Sequence, residues 1–94
     1  MSTPLTASEI AARVATLPAW QAAGGTLTRT IVCASFPDAI ACIVQIGFLA
    51  EAAAHHPDIN IRWRTLTLRL TTYDAGGITE RDIALAAQID AIAQ

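Results

Sequence analysis

The segment INIRWRTLTLRL (59–70) decides the fold. Ile59, Ile61 and Trp63 take odd positions, whereas Leu66, Leu68 and Leu70 take even ones. Successive side chains on a strand point to opposite faces, so one strand cannot change phase without a bulge or a turn. The change predicts a tight turn near Trp63–Thr65 and a hairpin of two strands, 59–63 and 65–73.

Working upstream, Pro57 breaks the chain ahead of the hairpin, and before it stands a long helical pattern. Ser35, Pro37 and Asp38 supply a cap, an early proline and an acid in the first turn. The helix they open is expected to run to about His55. Gln45 is the only polar side chain between Asp38 and Glu51. A helix apolar on all sides needs cover on more than one side. A small sheet covers one, so a second subunit is expected to cover another. The stretch AIACIVQIGFLA (39–50) is also too short to cross a bilayer, which takes about 20 residues; it reads as a core helix.

Earlier still, LTRTIVCA (27–34) is rich in β-branched residues and reads as a strand. Trp20–Ala22 reads as a shorter one, turned by Gly24-Gly25. Thr6 and Glu9 form a capping pattern for a first helix over 7–17, ended by Pro18. Residues 1–5 are expected to be loose. Downstream of the hairpin, 74–77 is a loop. T-E-R-D (79–82) caps a third helix, with Ile78 and Ile83 placed as a hydrophobic staple and Leu85, Ile89 and Ile92 as its buried stripe. The order is αββαββα. It implies an α+β fold, a single domain over 1–94, with a four-stranded antiparallel sheet and three helices on one face.

The 94 residues carry six basic and eight acidic side chains, for a net charge of −2. No basic run or aromatic interleaving suggests nucleic acid as a partner. The N-terminus does not read as a secretory leader, so a cytoplasmic protein is expected, without membrane attachment. Mean hydropathy is +0.43, high for a small soluble chain and in keeping with a homo-oligomer. Cys33 and Cys42 match no metal or redox spacing and read as buried reduced thiols. No metal site is expected.

Both histidines of the chain, His55 and His56, stand side by side. Glu51 lies four residues before His55, so the two are expected to share a helix face, where the carboxylate can orient the imidazole. Pro57 disfavours helical geometry at His56, so the two rings should leave the backbone in different directions, at an edge that can line a pocket. The bland alternative is that they only satisfy the last carbonyls of the helix.

Glu51, His55-His56-Pro57, Trp63 and Asp82, in this spacing, resemble the signature of the pterin-4a-carbinolamine dehydratases. The resemblance extends through A-E-x-x-x-H-H-P-D, L-T-T-x-D-A-G-G-I-T-E-R-D-I-A-L-A and the tryptophan of P-A-W, covering residues 18–93. It implies dimers or tetramers and a hydro-lyase reaction, dehydration of 4a-hydroxytetrahydropterin to quinonoid dihydropterin, without a cofactor. It places His55, His56 and Asp82 as catalytic residues, with Glu51, Pro57 and Trp63 binding the pterin. The family carries a third histidine where this chain has Tyr73. A phenol with a pKa near 10 is a poor proton carrier at neutral pH, so activity is expected to be weak or lost. Asp82 is equally readable as a helix cap, and Trp63 as core. Arg62, Arg64 and Arg69 read as a solvated or partner-facing strand surface. The alternative function is a non-catalytic assembly factor on the same scaffold. The resemblance includes dehydratase-like proteins of carboxysomes that assist RuBisCO, which makes RuBisCO a candidate partner.

Overall fold

The structure is a computed structural model that describes residues 3–93. It contains α1 (Ala7–Val14), β1 (Gln21–Ala23), β2 (Thr26–Val32), α2 (Phe36–Ala53), β3 (Asp58–Arg62), β4 (Thr65–Leu70) and α3 (Glu80–Ile92), with a 3-10 turn at Tyr73–Ala75. The four strands form one antiparallel sheet in the order β1-β2-β4-β3.

The phase change at 63 is the turn of the β3–β4 hairpin. Trp63 occupies it with φ 54°, in the left-handed region, a conformation that costs a non-glycine residue about 1–2 kcal/mol. The turn is pinned to the end of β2, where the Cys33 N–H donates to the Arg64 carbonyl (2.8 Å) and Arg64 Nη1 donates to the Cys33 carbonyl (3.0 Å).

Register then decides which face is buried. Ile59 pairs with Leu68 and Ile61 with Leu66, while across β4 Leu27 meets Leu70 and Ile31 meets Leu66. Partners in register share a face. One face therefore gathers Leu27, Leu66, Leu68 and Leu70, all fully buried. The other carries Asp58, Asn60, Thr67, Arg69, Thr28 and Thr30 and holds no buried residue. Ile46 and Ala50 of α2 and Leu85, Ala86 and Ile89 of α3 belong to the core cluster, and Ile10 and Val14 of α1 pack against it. All three helices thus cover the apolar face.

Boundaries differ from the sequence expectation by a few residues. The first helix stops at Val14 rather than 17, and the second at Ala53 rather than 55. The fourth strand ends at Leu70 rather than 73, because Thr72 pairs with Gly77 in an isolated bridge that folds 73–76 into a turn. Leu5, within the stretch expected to be loose, donates its N–H to the Ile78 carbonyl at 2.9 Å and packs on the core. Residues 1 and 2 lie outside the described residues.

Only Ala39, Ile46 and Ala50 of α2 are buried. Phe36, Ile40, Val44 and Phe48 are exposed, Phe48 to 75%. Their interval of four puts them along one side of the helix. At 18 residues, α2 is long and apolar enough by length and composition to cross a membrane, but Ile46 and Ala50 join the core cluster with Leu27, Leu68 and Leu70 of the sheet.

Candidate active site

The site begins where α2 ends. Ala54 has φ 50° and ψ 39°, the left-handed conformation that usually calls for glycine. Its N–H bonds to the Glu51 carbonyl, and that of His55 bonds to the Ala50 carbonyl, both at 3.1 Å. This is the Schellman arrangement, which satisfies carbonyls a helix otherwise leaves open. From α3, Arg81 Nη2 donates to the Ala54 carbonyl at 2.6 Å, fixing the bend from outside.

Because the helix has already turned at Ala54, His55 does not continue the face that carries Glu51. Its ring points inward and is only 8% exposed; its Nε2–H donates to Asp82 Oδ1 at 2.5 Å. Glu51 instead meets His56, with Nε2–H donating to Oε1 at 2.9 Å. The expected pairing of Glu51 with His55 is thus corrected. That expectation assumed an unbroken helix through 55, and the left-handed residue removes it. His56 and Glu51 are both largely exposed, so their ion pair is worth at most about 1 kcal/mol.

Asp82 is fully buried. Its Oδ2 accepts from the Thr79 N–H (2.9 Å) and from the Thr72 hydroxyl (2.8 Å), and Thr72 Oγ1 lies 2.8 Å from Thr79 Oγ1. With Thr72 donating to the carboxylate, Thr79 is the donor between the two hydroxyls. Asp82 therefore both caps α3 and holds the His55 ring. A ring that gives its Nε2–H to a carboxylate presents Nδ1 as the basic atom of the neutral imidazole.

A cavity of about 360 Å³ opens beside this ring, lined by Ala54, His55, His56, Thr71, Thr72, Tyr73, Asp74 and Arg81. Tyr73 starts the 3-10 turn at its mouth and is 78% exposed. Its hydroxyl reaches Asp58 Oδ2 only at a long 3.4 Å. Pro57 follows as a half-buried spacer. Trp63 lies elsewhere. All of β3, about 3.3 Å per residue, separates it from the histidines, and it is 70% exposed beneath the Arg64 guanidinium at 4.7 Å. Within one chain, then, the structure brings together His55, His56, Tyr73 and Asp82, with Glu51 at the rim, and leaves Trp63 apart.

Sequence reading missed Thr72 and Arg81. Arg81 sits inside T-E-R-D, a motif whose capping role absorbs attention. Thr72 sits in a β-branched run where a threonine is ordinary.

These features define an α+β protein with a carboxylate-held imidazole in an open cavity at the junction of helix and sheet. A family profile for pterin 4 alpha carbinolamine dehydratase matches residues 3–92. A Roseiflexus sp. (strain RS-1) protein bearing the pterin-4-alpha-carbinolamine dehydratase name is 53% identical over 92 residues, 98% of this chain and 99% of that one. One from Nocardia farcinica is 50% identical over the full length of both. Among solved structures, a transcriptional coactivator/pterin dehydratase from Brucella melitensis superposes with a TM-score of 0.94 at 30% identity, covering 98% of this chain and 100% of that one. A pterin dehydratase-like protein identified as a RuBisCO assembly factor in the α-carboxysome superposes at 0.65 with 25% identity, covering 79% and 86%. The chain belongs to the pterin-4a-carbinolamine dehydratase family.

Proposed function

We propose that the chain dehydrates a 4a-hydroxytetrahydropterin, with low efficiency, in the cavity beside His55. The His55–Asp82 pair carries this reading: Asp82 fixes a ring that lines the cavity and leaves its Nδ1 as the basic atom. Dehydration requires a proton delivered to the leaving 4a-hydroxyl and a proton removed from a ring nitrogen, with water as the by-product. An imidazole can both give and take a proton and so suits either step. His55 takes one role and the solvent-facing His56 the other. Tyr73 contributes a hydrogen-bond donor but no efficient proton transfer. Asp82 does not touch the substrate and is a positioning residue. Glu51 and Pro57 shape the rim.

The test compares dehydration of 4a-hydroxytetrahydropterin by the wild-type chain and by His55→Ala. The variant is expected to lose about 10²-fold or more of the enzymatic rate above background. Equal rates, both at background, would sink the catalytic reading.

A second reading rests on the exposed apolar ridge of α2 and on the similarity to the RuBisCO assembly factor. It has this chain acting as a cytoplasmic assembly protein, with RuBisCO as one candidate partner. Native pull-down tests it, and failure to recover a RuBisCO subunit counts against it. Under either reading, the ridge of Phe36, Ile40, Val44 and Phe48 is covered by a second copy in a homo-oligomer. Phe48→Glu places a charge on that ridge and is expected to shift the sedimentation mass to that of the monomer. An unchanged oligomer mass would move the interface elsewhere.

A further inference from the structure

A second cluster of reactive side chains lies away from the histidines, at the other end of α2. Cys33 follows β2 directly, and its backbone is held on both sides by Arg64. Cys42 lies in the N-terminal half of α2. Both thiols are free and half-buried, and both line one cavity of about 520 Å³, with Arg29, Asp38 and Gln45. We propose that Cys33 and Cys42 form a peroxide-sensitive dithiol that closes to an intramolecular disulfide.

The end of β2 and the first turns of α2 set both thiols on the wall of that one cavity. The Cys33 thiol lies within interaction range of Cys42, and it acts with burial, the larger cause, to push the Cys42 thiol up; the Arg29 guanidinium opposes them. A raised thiol is a poor first nucleophile, so Cys33 attacks first and Cys42 resolves. Eight residues separate them along the chain, residues 34–41. The Ser35 cap of α2, with the Asp38 N–H donating to Ser35 Oγ at 3.1 Å, holds that connection. The pair also stays open if α2 is covered along its exposed ridge. Cys42 is two residues on from Ile40, about 200° round the helix at 3.6 residues per turn.

The chemistry balances with a hydroperoxide as oxidant. The Cys33 thiolate attacks one peroxide oxygen, the O–O bond breaks, and an alcohol or water leaves with the Cys33 proton, giving a sulfenic acid. Cys42 then attacks that sulfur, its own proton joins the departing hydroxide, and water leaves as the S–S bond forms. Two thiols lose two hydrogens and one peroxide is reduced. Disulfides of this kind in a reducing compartment are transient and redox-sensing.

The test is intact mass under denaturing, non-reducing conditions after titration with hydrogen peroxide. The wild-type chain is expected to lose two hydrogens as a monomer, with one peroxide consumed per chain and the mass restored by dithiothreitol. In Cys42→Ser, dimedone is expected to trap a sulfenic acid at Cys33. Disulfide-linked dimers, stable gain of oxygen by the wild-type monomer, or an unchanged mass would each overturn the proposal. Trapping at Cys42 in Cys33→Ser, with none at Cys33 in Cys42→Ser, would overturn the order of attack and with it the mechanism.

Discussion

Asp82→Ala is expected to lower the melting temperature by roughly 15–30 °C, measured by circular dichroism. Its carboxylate accepts from His55 Nε2, the Thr72 hydroxyl and the Thr79 N–H, and all four residues are buried. Alanine leaves three buried donors without an acceptor, at about 1–3 kcal/mol each where water cannot reach them. Thr79 remains the N-cap of α3, its Oγ1 accepting from the Arg81 N–H. Relaxation recovers part of this, so about 3–5 kcal/mol is the net expectation, in the range for breaking a buried pair. For a domain of this size each kcal/mol moves Tm by about 4–8 °C. Asp82→Asn separates the two duties. Its amide oxygen can still accept the Thr79 N–H, but the nitrogen now faces the imidazole and reverses the favoured ring tautomer. That variant is expected to keep most of its stability and lose its dehydration rate. A melting temperature for Asp82→Ala within a few degrees of wild type would mean that the buried network is not what holds this end of the fold.

Tyr73→His is expected to raise the dehydration rate by about 10²–10⁴-fold, the usual contribution of a general acid or base. Position 73 lines the same cavity as His55 and His56 and is open to solvent, so an imidazole fits without repacking the core. The uncatalysed reaction sets the floor, and stopped-flow measurement at neutral pH separates a gain from it. No gain would show that the cavity differs from that of an efficient dehydratase in more than one proton carrier. The family resemblance would then describe the scaffold and not the chemistry.

The fold was legible because its decisive signals are local. The phase switch between Ile61 and Leu66, the caps at Thr6, Ser35 and Thr79, and the glycine turn before β2 each fix an element from neighbouring residues. The site was legible only in part. His55 and Asp82 were named, but their contact spans 27 positions and has no periodic trace. The helical rule for residues four apart pointed to Glu51 instead, and it failed because Ala54 leaves the helix one residue before the rule needs it. Tyr73 read as the end of a strand over 65–73, whereas the Thr72–Gly77 bridge closes a turn that sequence periodicity does not encode. The apolar character of α2 marked it as a helix with more apolar surface than one sheet covers, and within the single chain the Phe36–Phe48 ridge is open to solvent.

The left-handed residue at position 54 gives two neighbours in the chain different surroundings. By bending the backbone one residue early, it sends one imidazole inward, 8% exposed, and leaves the next 64% exposed. A single backbone conformation thus makes one dipeptide both a held ring and an accessible one. A glycine there would keep the bend but widen its angular freedom, loosening that division.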